Sequence, residues 1–573
     1  MSACRMTLGQ RIVANLQQEQ VEYIFSQGEL SLKEIQKHAI ESGLKLIGPR
    51  HEAAGVWMAA AAYRLTGRPQ VAMGAQGPGV ANMLPAAVWA AEERIPIVLI
   101  GASRQFETTS GIRRGRFLVE ESLPGCFKEI CKFAHRIYHP RQVDEVMQTA
   151  FRNALSGTPG PVYIEVDSAG QTESWDYGPL TKPSEYRVLS QPASDSAIAE
   201  ACKLIESSRS ILLLGGEEVH SSRTHEQFLR LAELLKCPVI TTFGGAGAIK
   251  QTHPQWLAYS SNAGKEAIEK SDLVIAVGTC IPENINYGKQ RHFAPGDANR
   301  QWIQLDPDPA AIAINRSIHL PVIGRLQESL QQLCVCIEKS FQRDDNPNMA
   351  RWREDFEHEQ DARLKSVSSE SPIDPNKLML EAREAIPDDA VIVSDAGFTI
   401  VYQHDSFEKR SNDFLWGAFG AHVGTGLPQA VGAQLAVGGD RLVCLLCGDG
   451  ALGMHIMELE TAVRHELPIV VIVNDDRAFA AELAALDEHM GSMPECFFRQ
   501  ARYDLFLEHM GGHGEYVEHA EDIQPAIKRA IASGKTALVQ VITDQMSGLK
   551  YPPFSGEELY AWVHEDVAQM NRV

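Results

Sequence analysis

Short hydrophobic runs alternate along this chain with longer stretches in which apolar and polar residues recur at helical spacing. Runs such as Ile95–Gly101 and Leu467–Val473 have the length of a buried strand. Alanine-rich stretches such as Ala53–Leu65 have the length of a helix. Alternating strands and helices are typical of parallel sheets that carry helices on both faces. The pattern therefore predicts the α/β fold class, with doubly wound parallel sheets.

Three segments share this alternation. The first has predicted strands at Lys45–Gly48, Gln70–Ala75, Ile95–Gly101 and Gly160–Asp167, with helices at Ala53–Leu65 and Ala81–Ala91. The second has strands at Ser210–Leu214, Pro238–Thr242, Leu273–Val277 and Trp302–Leu305, a helix at His225–Leu235 and a charged helical stretch at Ser340–Ser366. The third has strands at Ala390–Ser394, Arg441–Leu446, Pro468–Val473 and Thr536–Ile542, with a helix at Ala451–His465. We therefore expect domains over residues 1–170, 190–340 and 370–545, and a C-terminal tail at 546–573.

Charge and composition narrow the class of partner. The 573 residues include 53 Lys and Arg against 74 Asp and Glu, for a net charge of −21, which argues against nucleic acid or an anionic membrane as the main partner. The longest apolar runs are far shorter than the ~18 residues of a membrane helix, and the N-terminus lacks a signal-peptide pattern. The 11 cysteines are scattered, as in a reducing compartment, so we expect a soluble cytoplasmic protein. Cys444 and Cys447 lie inside an apolar run, which favours buried strand residues over a zinc or redox pair.

The stretch from Cys447 to Asp476 combines an apolar strand, a glycine turn, an amphipathic helix and a second strand. A right-handed β–α–β unit returns its second strand beside the first, so both carboxyl ends lie at the sheet edge where α/β proteins bind ligands. Asp449 ends one strand, and Asp475 and Asp476 end the other. Free N–H groups at a helix N-terminus attract phosphate, and carboxylate and phosphate oxygens suit Mg²⁺. A plain Rossmann-like unit with a polar turn is the alternative.

This element resembles the thiamine-diphosphate-binding motif of the superfamily that includes acetolactate synthase, pyruvate decarboxylase, benzaldehyde lyase and 2-hydroxyacyl-CoA lyase. The resemblance implies thiamine diphosphate and Mg²⁺ as cofactors, with Asp449, Asp476 and the backbone carbonyl of Ala478 as metal ligands. It places Gly448, Gly450 and Ala451 among the residues that bind the cofactor. The chain departs from the motif in two ways. It has Asp475 and Asp476 where relatives carry Asn-Asn or Asn-Asp, and Ala480 at a position that often holds glycine.

The region Leu46–Ala102 in the first segment resembles the family's pyrimidine-binding region almost end to end. The resemblance implies that Glu52 places its carboxyl group on N1′ of the cofactor pyrimidine and so activates it. A glutamate favoured only by the helix dipole is the alternative. The G-P-G-x-x-N motif from Gly77 to Asn82 is implied to bind the cofactor beside it. His51 precedes the glutamate, as in many relatives, and either acts in catalysis or packs.

Two positions in this segment depart from acetolactate synthase. Gln76 replaces the serine usual before G-P-G. Leu118-Val119-Glu120 stands where acetolactate synthases carry Phe-Gln-Glu, and the missing glutamine disfavours an ordinary acetolactate synthase active site.

The glycine-rich stretch Gly417–Ala433 resembles the part of the family that holds the cofactor in a bent shape. The resemblance implies that Val423 wedges between the two cofactor rings and that the Ala421 carbonyl accepts a hydrogen bond from the 4′-amino group. A valine that only packs at a helix N-terminus is the alternative. His422 is a candidate to meet the substrate. Asp395 follows a strand at the same edge, where relatives bind cofactor or substrate.

Glu482 follows Asp476 by six residues, where pyruvate-decarboxylase-like relatives hold a glutamate that supplies a proton. A glutamate on a surface helix is the alternative. The resemblance as a whole implies decarboxylation of a 2-oxo acid, with or without addition to an aldehyde or ketone. The other hypotheses are a lyase acting on a 2-hydroxyacyl-CoA or 2-hydroxy ketone, and a catalytically silent subunit that binds cofactor.

The remaining expectations concern the central domain, the tail and the assembly. The central domain holds FAD in some relatives, ADP in others and nothing in many, so a nucleotide is left open here. The tail from Ser547 either folds over the active-site mouth as a lid or docks as a simple helix. In relatives the glutamate of one subunit meets the diphosphate site of another, which implies a homodimer or homotetramer with active sites between chains.

Overall fold

A computed structural model describes residues 4–103, 123–188, 191–289, 292–416, 422–483 and 494–550. Three parallel sheets of six, five and six strands form its framework, together with one two-stranded antiparallel ribbon. The predicted α/β fold class with doubly wound parallel sheets is therefore confirmed.

The N-terminal sheet runs in the order β3-β2-β4-β5-β7-β6, and a ribbon of β1 and β8 extends this domain past residue 170. The strands are β1 Cys4–Thr7, β2 Tyr23–Phe25, β3 Lys45–Ile47, β4 Gln70–Gly74, β5 Ile97–Ser103, β6 Phe133–Ile137, β7 Val162–Asp167 and β8 Ser174–Tyr177. The helices are Leu8–Gln18, Lys33–Glu41, Glu52–Thr66, Pro78–Asn82, Leu84–Glu92, Leu123–Lys128, Val143–Leu155 and Pro183–Tyr186.

The central sheet runs in the order β10-β9-β11-β12-β13, with every neighbouring pair parallel. The strands are β9 Ile211–Gly215, β10 Val239–Thr241, β11 Leu273–Val277, β12 Gln301–Asp306 and β13 Leu320–Ile323. The helices are Asp195–Ser207, Glu218–Ser221, His225–Leu235, Asn262–Lys270 and Leu326–Ser340, followed by the connecting helix Met349–Ser366.

The C-terminal sheet runs in the order β15-β14-β16-β17-β19-β18. The strands are β14 Val391–Ser394, β15 Phe414–Trp416, β16 Val443–Gly448, β17 Val470–Asp475, β18 His513–Val517 and β19 Ala537–Ile542. The helices are Pro375–Ala385, Phe398–Ser406, Gly426–Val437, Asp449–His455, Glu458–Arg464, Tyr503–His509, Ile523–Ala532 and Ser547–Lys550.

Three predicted helices differ from the observed ones. The helix predicted over 81–91 is two helices, because Pro85 has no N–H to donate within a continuous helix. The charged stretch predicted over 340–366 becomes helical only at Met349, after Pro347. The helix predicted over 451–465 breaks at 456–457, where no proline or glycine stands, and Glu458 beyond the break contacts the N-terminal domain.

The N-terminal and C-terminal domains share one hydrophobic core. Helix Glu52–Thr66 packs along helix Gly426–Val437, and both are rich in alanine and glycine. The fit is close at Gly432, where a Cβ atom would collide with the Met58 carbonyl. This contact places the start of the Glu52 helix against the C-terminal domain of the same chain.

The two cysteines of the C-x-x-C motif lie in β16, fully buried and unpaired, as predicted. Within the described part of the chain, no helix is long and apolar enough to cross a membrane.

Candidate active site

The predicted carboxylates of the C-terminal domain meet at the carboxyl edge of its sheet. Gly448 ends β16 and pairs with Asn474 of β17, so Asp449 lies beside the Asp475 and Asp476 positions. Asp449 begins a helix instead of ending the strand, and the strand partner ends at Asp475. The structure therefore brings Asp449 and Asp476 together, as the β–α–β argument requires.

These carboxylates are buried and short of compensating charge. Burial and the neighbouring carboxylates of Asp476 and Asp475 raise the pKa of Asp449 to about 8. Burial also raises the pKa of Asp476 to about 7. Two carboxyl groups this close resist ionising together without a cation between them.

The unsatisfied oxygens at this edge fit a divalent cation. Asp449 Oδ1, Asn474 Oδ1 and Asp475 Oδ1 are buried and have no hydrogen-bond partner among the described residues. In the same part of the chain, no three His, Cys, Asp or Glu side chains converge closely enough to hold a metal alone. Mg²⁺ is commonly coordinated by one or two carboxylates together with phosphate oxygens. This donor set therefore suits a metal ion that binds together with a diphosphate.

The loop after Asp476 is held in an unusual conformation. Arg477 has a φ of +56°, a left-handed backbone that is uncommon for residues other than glycine. The Asp476 carboxylate accepts a hydrogen bond from the Ala478 N–H at 3.1 Å. Gly450 lies against this loop, because a Cβ atom there would stand 2.8 Å from the Phe479 ring. Asp476 and Ala478 thus flank a strained residue, as is common at functional sites.

The N-terminal domain assembles the second group of predicted residues. Glu52 is the first residue of its helix, and its Oε2 accepts a hydrogen bond from Asn82 Nδ2 at 2.9 Å. A Cβ atom at Gly79 would lie 2.8 Å from Glu52 Oε1, so glycine is required there for the carboxylate to approach. Gly77 has a φ of +76° and caps the short helix that carries Asn82. The G-P-G-x-x-N motif and Glu52 therefore form one cluster.

His51 has a structural role, as the cap of a helix. Its Nδ1 accepts the Ala53 N–H at 3.2 Å and so caps the helix that Glu52 begins. The N–H groups of Arg50 and His51 both donate to Glu458 Oε1, at 2.9 and 3.2 Å. Burial raises the pKa of Glu458 to about 7. A catalytic role for His51 stays a prediction.

Asp395 is committed to the backbone of the glycine-rich loop. Its Oδ1 accepts from the Gly424 N–H at 2.9 Å, and its Oδ2 accepts from the Gly426 N–H at 2.8 Å. The structure thus shows that Asp395 holds the loop that carries Val423, and direct contact with a cofactor stays a prediction. Val423 packs partly buried against the shared core, and His422 Nδ1 has no hydrogen-bond partner among the described residues.

Several predicted residues are less well placed. Glu482 is exposed on a short helical turn that follows the loop of Arg477 and Ala478. Ala421 lies outside the described residues, as do Leu118-Val119-Glu120 and the tail from residue 551.

Sequence reasoning missed Glu458, Gln540 and Ser547. Glu458 lies nine residues after Asp449. The sequence does not reveal the helix break before it, so nothing distinguishes Glu458 from an ordinary glutamate in a helix. Gln540 donates to Asp475 Oδ2 at 2.6 Å and Ser547 donates to Asp476 Oδ2 at 3.2 Å. Gln540 and Ser547 lie more than 60 positions along the chain from these aspartates, and no local signal points to them.

Comparison with protein families gives three successive matches along the chain. Residues 6–123 match the thiamine pyrophosphate enzyme N-terminal TPP-binding domain, residues 198–333 the central domain, and residues 395–541 the C-terminal TPP-binding domain. The three matches follow the order of the three observed sheets.

Comparison with individual proteins points the same way. A probable acetolactate synthase large subunit of Methanococcus aeolicus is 27% identical over 96% of this chain and 94% of its own length. An acetolactate synthase large subunit of Parasynechococcus marenigrum is 30% identical over 76% of this chain and 70% of its own length. The human 2-hydroxyacyl-CoA lyase 1 is 25% identical over 95% of this chain and 96% of its own length.

Proposed function

The chain belongs to the thiamine pyrophosphate enzyme family, and from that premise we propose that it cleaves or forms a carbon–carbon bond next to a carbonyl, with a 2-oxo acid as donor. It is a thiamine-diphosphate-dependent enzyme with an acetolactate-synthase-like domain order. The proposal beyond this concerns the substrate, the residues that act and the assembly.

The donor set of the C-terminal domain supports a Mg²⁺ site. Asp449, Asp476 and the Ala478 carbonyl would hold the ion, and the N-terminus of the helix that starts at Asp449 would bind the diphosphate. Gly448, Gly450 and Ala451 line that helix start. Asp395 would act indirectly, by holding the loop of Val423 in place.

The N-terminal domain supports the proton chemistry. Bound thiamine diphosphate supplies a carbon nucleophile that adds to a carbonyl and accepts the electrons released when the neighbouring bond breaks. Glu52 would share a proton with the pyrimidine N1′, and Asn82 would orient its carboxyl group. His422 and Glu482 would serve proton transfer nearer the substrate.

One observation carries the proposal. Asn82 donates a hydrogen bond to the Glu52 carboxylate, and Gly79 lies close to the same carboxylate. The hydrogen bond joins the predicted activating carboxyl group to the G-P-G-x-x-N motif in three dimensions, although 30 positions separate them in sequence. A helix-capping glutamate would need neither partner. This arrangement, with the Asp449 and Asp476 pair, argues against the silent-subunit hypothesis.

The test is turnover by holoenzyme loaded with Mg²⁺ and thiamine diphosphate on a panel of 2-oxo acids, with loss of the acid and appearance of aldehyde or 2-hydroxy ketone as readouts. We expect at least one 2-oxo acid to react, and the Glu52→Gln variant to lose that reaction. A panel that yields no product while the protein retains cofactor would contradict the substrate class.

A lyase acting on a 2-hydroxyacyl-CoA or a 2-hydroxy ketone is the second candidate. The 2-hydroxyacyl-CoA lyase named above aligns over almost the whole chain. The sequence Leu118-Val119-Glu120 lacks the glutamine of acetolactate synthases, which also favours this candidate. Cleavage of a 2-hydroxyacyl-CoA without reaction on any 2-oxo acid would decide for it.

We also propose that the active site forms between two chains, in at least a homodimer. Met454, in the helix Asp449–His455, packs against the Val423 loop, because a Cβ atom at Gly424 would stand 2.6 Å from it, yet the residue is 48% exposed. Met457 nearby is 37% exposed. An apolar surface at this position is suited to a second chain. Sedimentation should give a dimer or tetramer at micromolar concentration, and a fully active monomer would contradict the proposal.

The acidic edge of the central domain disfavours a nucleotide. Glu218 and Asp306 are buried there, Glu217 beside them is half-buried, and Arg94 of the N-terminal domain binds Asp306 at 3.1 Å. Carboxylates at this edge would repel the diphosphate of FAD or ADP. We therefore assign no nucleotide to this domain. We expect a cytoplasmic location, because the scattered free cysteines suit a reducing compartment.

A further inference from the structure

The segment 543–550, just after the last strand, lies against the loop that carries the metal ligands Asp476 and Ala478. We propose that Ser547 positions Asp476 for the metal, so that metal occupancy and docking of the segment 543–550 are coupled. The proposal rests on the proposed function, because it takes Asp476 as a Mg²⁺ ligand.

The first observation is the hydrogen bond between the two side chains. Ser547 Oγ donates to Asp476 Oδ2 at 3.2 Å, and both residues are almost fully buried. The other oxygen, Oδ1, accepts the Ala478 N–H at 3.1 Å. Each oxygen therefore has one donor that sets its direction and keeps a second lone pair for a cation. Without Ser547 only one oxygen of this carboxylate would be restrained.

The second observation is that the contact continues along the loop. The Arg477 guanidinium donates to the Thr543 carbonyl at 3.1 Å, and Gln545 Nε2 donates to the Arg477 carbonyl at 3.4 Å. Gly548 lies so close to the loop that a Cβ atom would stand 2.9 Å from the Ala480 carbonyl. The segment thus contacts the metal loop on both sides of Ala478.

The third observation is that the segment is tied together internally. Asp544 accepts the Met546 N–H at 3.0 Å with one oxygen and binds Lys550 Nζ at 2.6 Å with the other. Its own N–H donates to the Ile373 carbonyl at 3.2 Å. Residues 544–550 are therefore expected to dock or detach as a unit, with Ser547 at its centre.

Coupling between two sites is reciprocal in free energy. If the docked segment favours metal binding by a given factor, metal binding must favour docking by the same factor. Both directions can be measured, and neither measurement needs the substrate.

The first experiment measures Mg²⁺ affinity by titration calorimetry at a fixed saturating concentration of thiamine diphosphate. We expect Ser547→Ala to weaken the apparent Mg²⁺ affinity about tenfold, equal to about 1.4 kcal/mol. The matched control is Ser406→Ala, which removes another buried serine hydroxyl of the same domain, bonded to Asn376 Oδ1 at 2.8 Å and outside the described contacts of the metal loop. The control should leave the affinity unchanged. Equal affinities in both variants and wild type, or equal losses in the two variants, would overturn the proposal.

The second experiment uses only the wild-type chain and therefore stands even if a variant fails to fold. Trypsin cleavage after Lys550, followed by mass spectrometry, should slow when Mg²⁺ is added to protein that already holds thiamine diphosphate. Mg²⁺ that binds without slowing this cleavage would overturn the coupling while leaving the proposed function intact. Failure of the wild-type chain to bind Mg²⁺ and thiamine diphosphate at all would instead contradict the proposed function.

Discussion

The N-terminal and C-terminal sheets repeat one strand order but carry different chemistry at their edges. Numbered by position along the chain, the strands of both sheets run 2-1-3-4-6-5. The turn after the third strand holds Gly77 in the first sheet and Asp449 in the second. The topology supplies a similar edge twice, and single side chains decide what each edge can bind.

The difference in charge separates the two roles. At the N-terminal edge the Glu52 carboxylate is held by the neutral amide of Asn82. At the C-terminal edge, burial and repulsion from the carboxylates of Asp476 and Asp475 raise the pKa of Asp449 to about 8. The first arrangement suits a group that shares a proton, and the second suits a group that binds a cation.

We expect the largest effect from removing Asp449 at the edge of the C-terminal sheet, where we propose the metal site. Asp449→Ala should abolish retention of thiamine diphosphate, because the diphosphate would lose the Mg²⁺ that we propose Asp449 holds. Gel filtration followed by cofactor analysis measures what remains bound. Near-native retention in this variant would remove Asp449 from the site.

A substitution of Glu52, at the edge of the N-terminal sheet, should leave the cofactor bound. Glu52→Gln keeps the size and hydrogen bonding of the side chain but loses the carboxyl proton, so turnover should fall by the ~10²–10⁴ typical of general acid–base groups. Cofactor affinity should weaken only modestly, since the proposed diphosphate and metal ligands belong to the other domain. Hydrogen–deuterium exchange at C2 of bound thiamine diphosphate tests this directly. Unchanged exchange would mean that Glu52 only begins a helix.

A milder change at the same edge should disturb the placement of Glu52 without removing it. Gly79→Ala puts a Cβ atom 2.8 Å from Glu52 Oε1 and 2.8 Å from Ala75 Cβ, so we expect C2 exchange to slow about tenfold and stability to fall by the ~1–3 kcal/mol of overpacking. Gly28→Ala is the matched control, since no atom lies within 4 Å of its Cβ position. Equal rates in the two variants would show that the close approach is unimportant.

The smallest effect on turnover is expected in the central domain, which lies outside the repeated pair. Burial raises the pKa of Glu217 to about 7 from an ordinary 4.5, so the folded state keeps a proton that the unfolded state releases. Its contribution to stability is therefore present below pH 4.5 and lost as the pH rises towards 7. The Glu217→Gln variant has no carboxyl group to lose a proton, so its stability should not fall with pH in this way. It should be more stable than wild type at pH 7 by up to ~3 kcal/mol. Denaturant unfolding at pH 4.5 and 7 checks the sign, and a difference that does not grow with pH would contradict it.

Much of the fold was predictable because hydrophobic runs of strand length survive almost unchanged in the structure. Leu273–Val277 was predicted to the residue, and the ends of the other predicted strands shifted by at most two positions. Helix breaks were less predictable. The one at Pro85 has a local cause that the prediction overlooked, whereas the one at 456–457 has no local cause and coincides with the contact of Glu458 across the domains.

The sequence alone determined the α/β class, because strand period and glycine turns are local properties that survive any packing. The resemblance of its motifs to a known family implied the cofactor. The same motifs named Glu52, Asn82, Asp449 and Asp476 as candidate site residues. Only the tertiary structure decided that Asn82 holds Glu52, that Asp395 is committed to the Gly424 and Gly426 backbone, and that Ser547 reaches Asp476. These are contacts between positions 29 to 71 residues apart. No local pattern encodes them, since they depend on how sheets and helices pack.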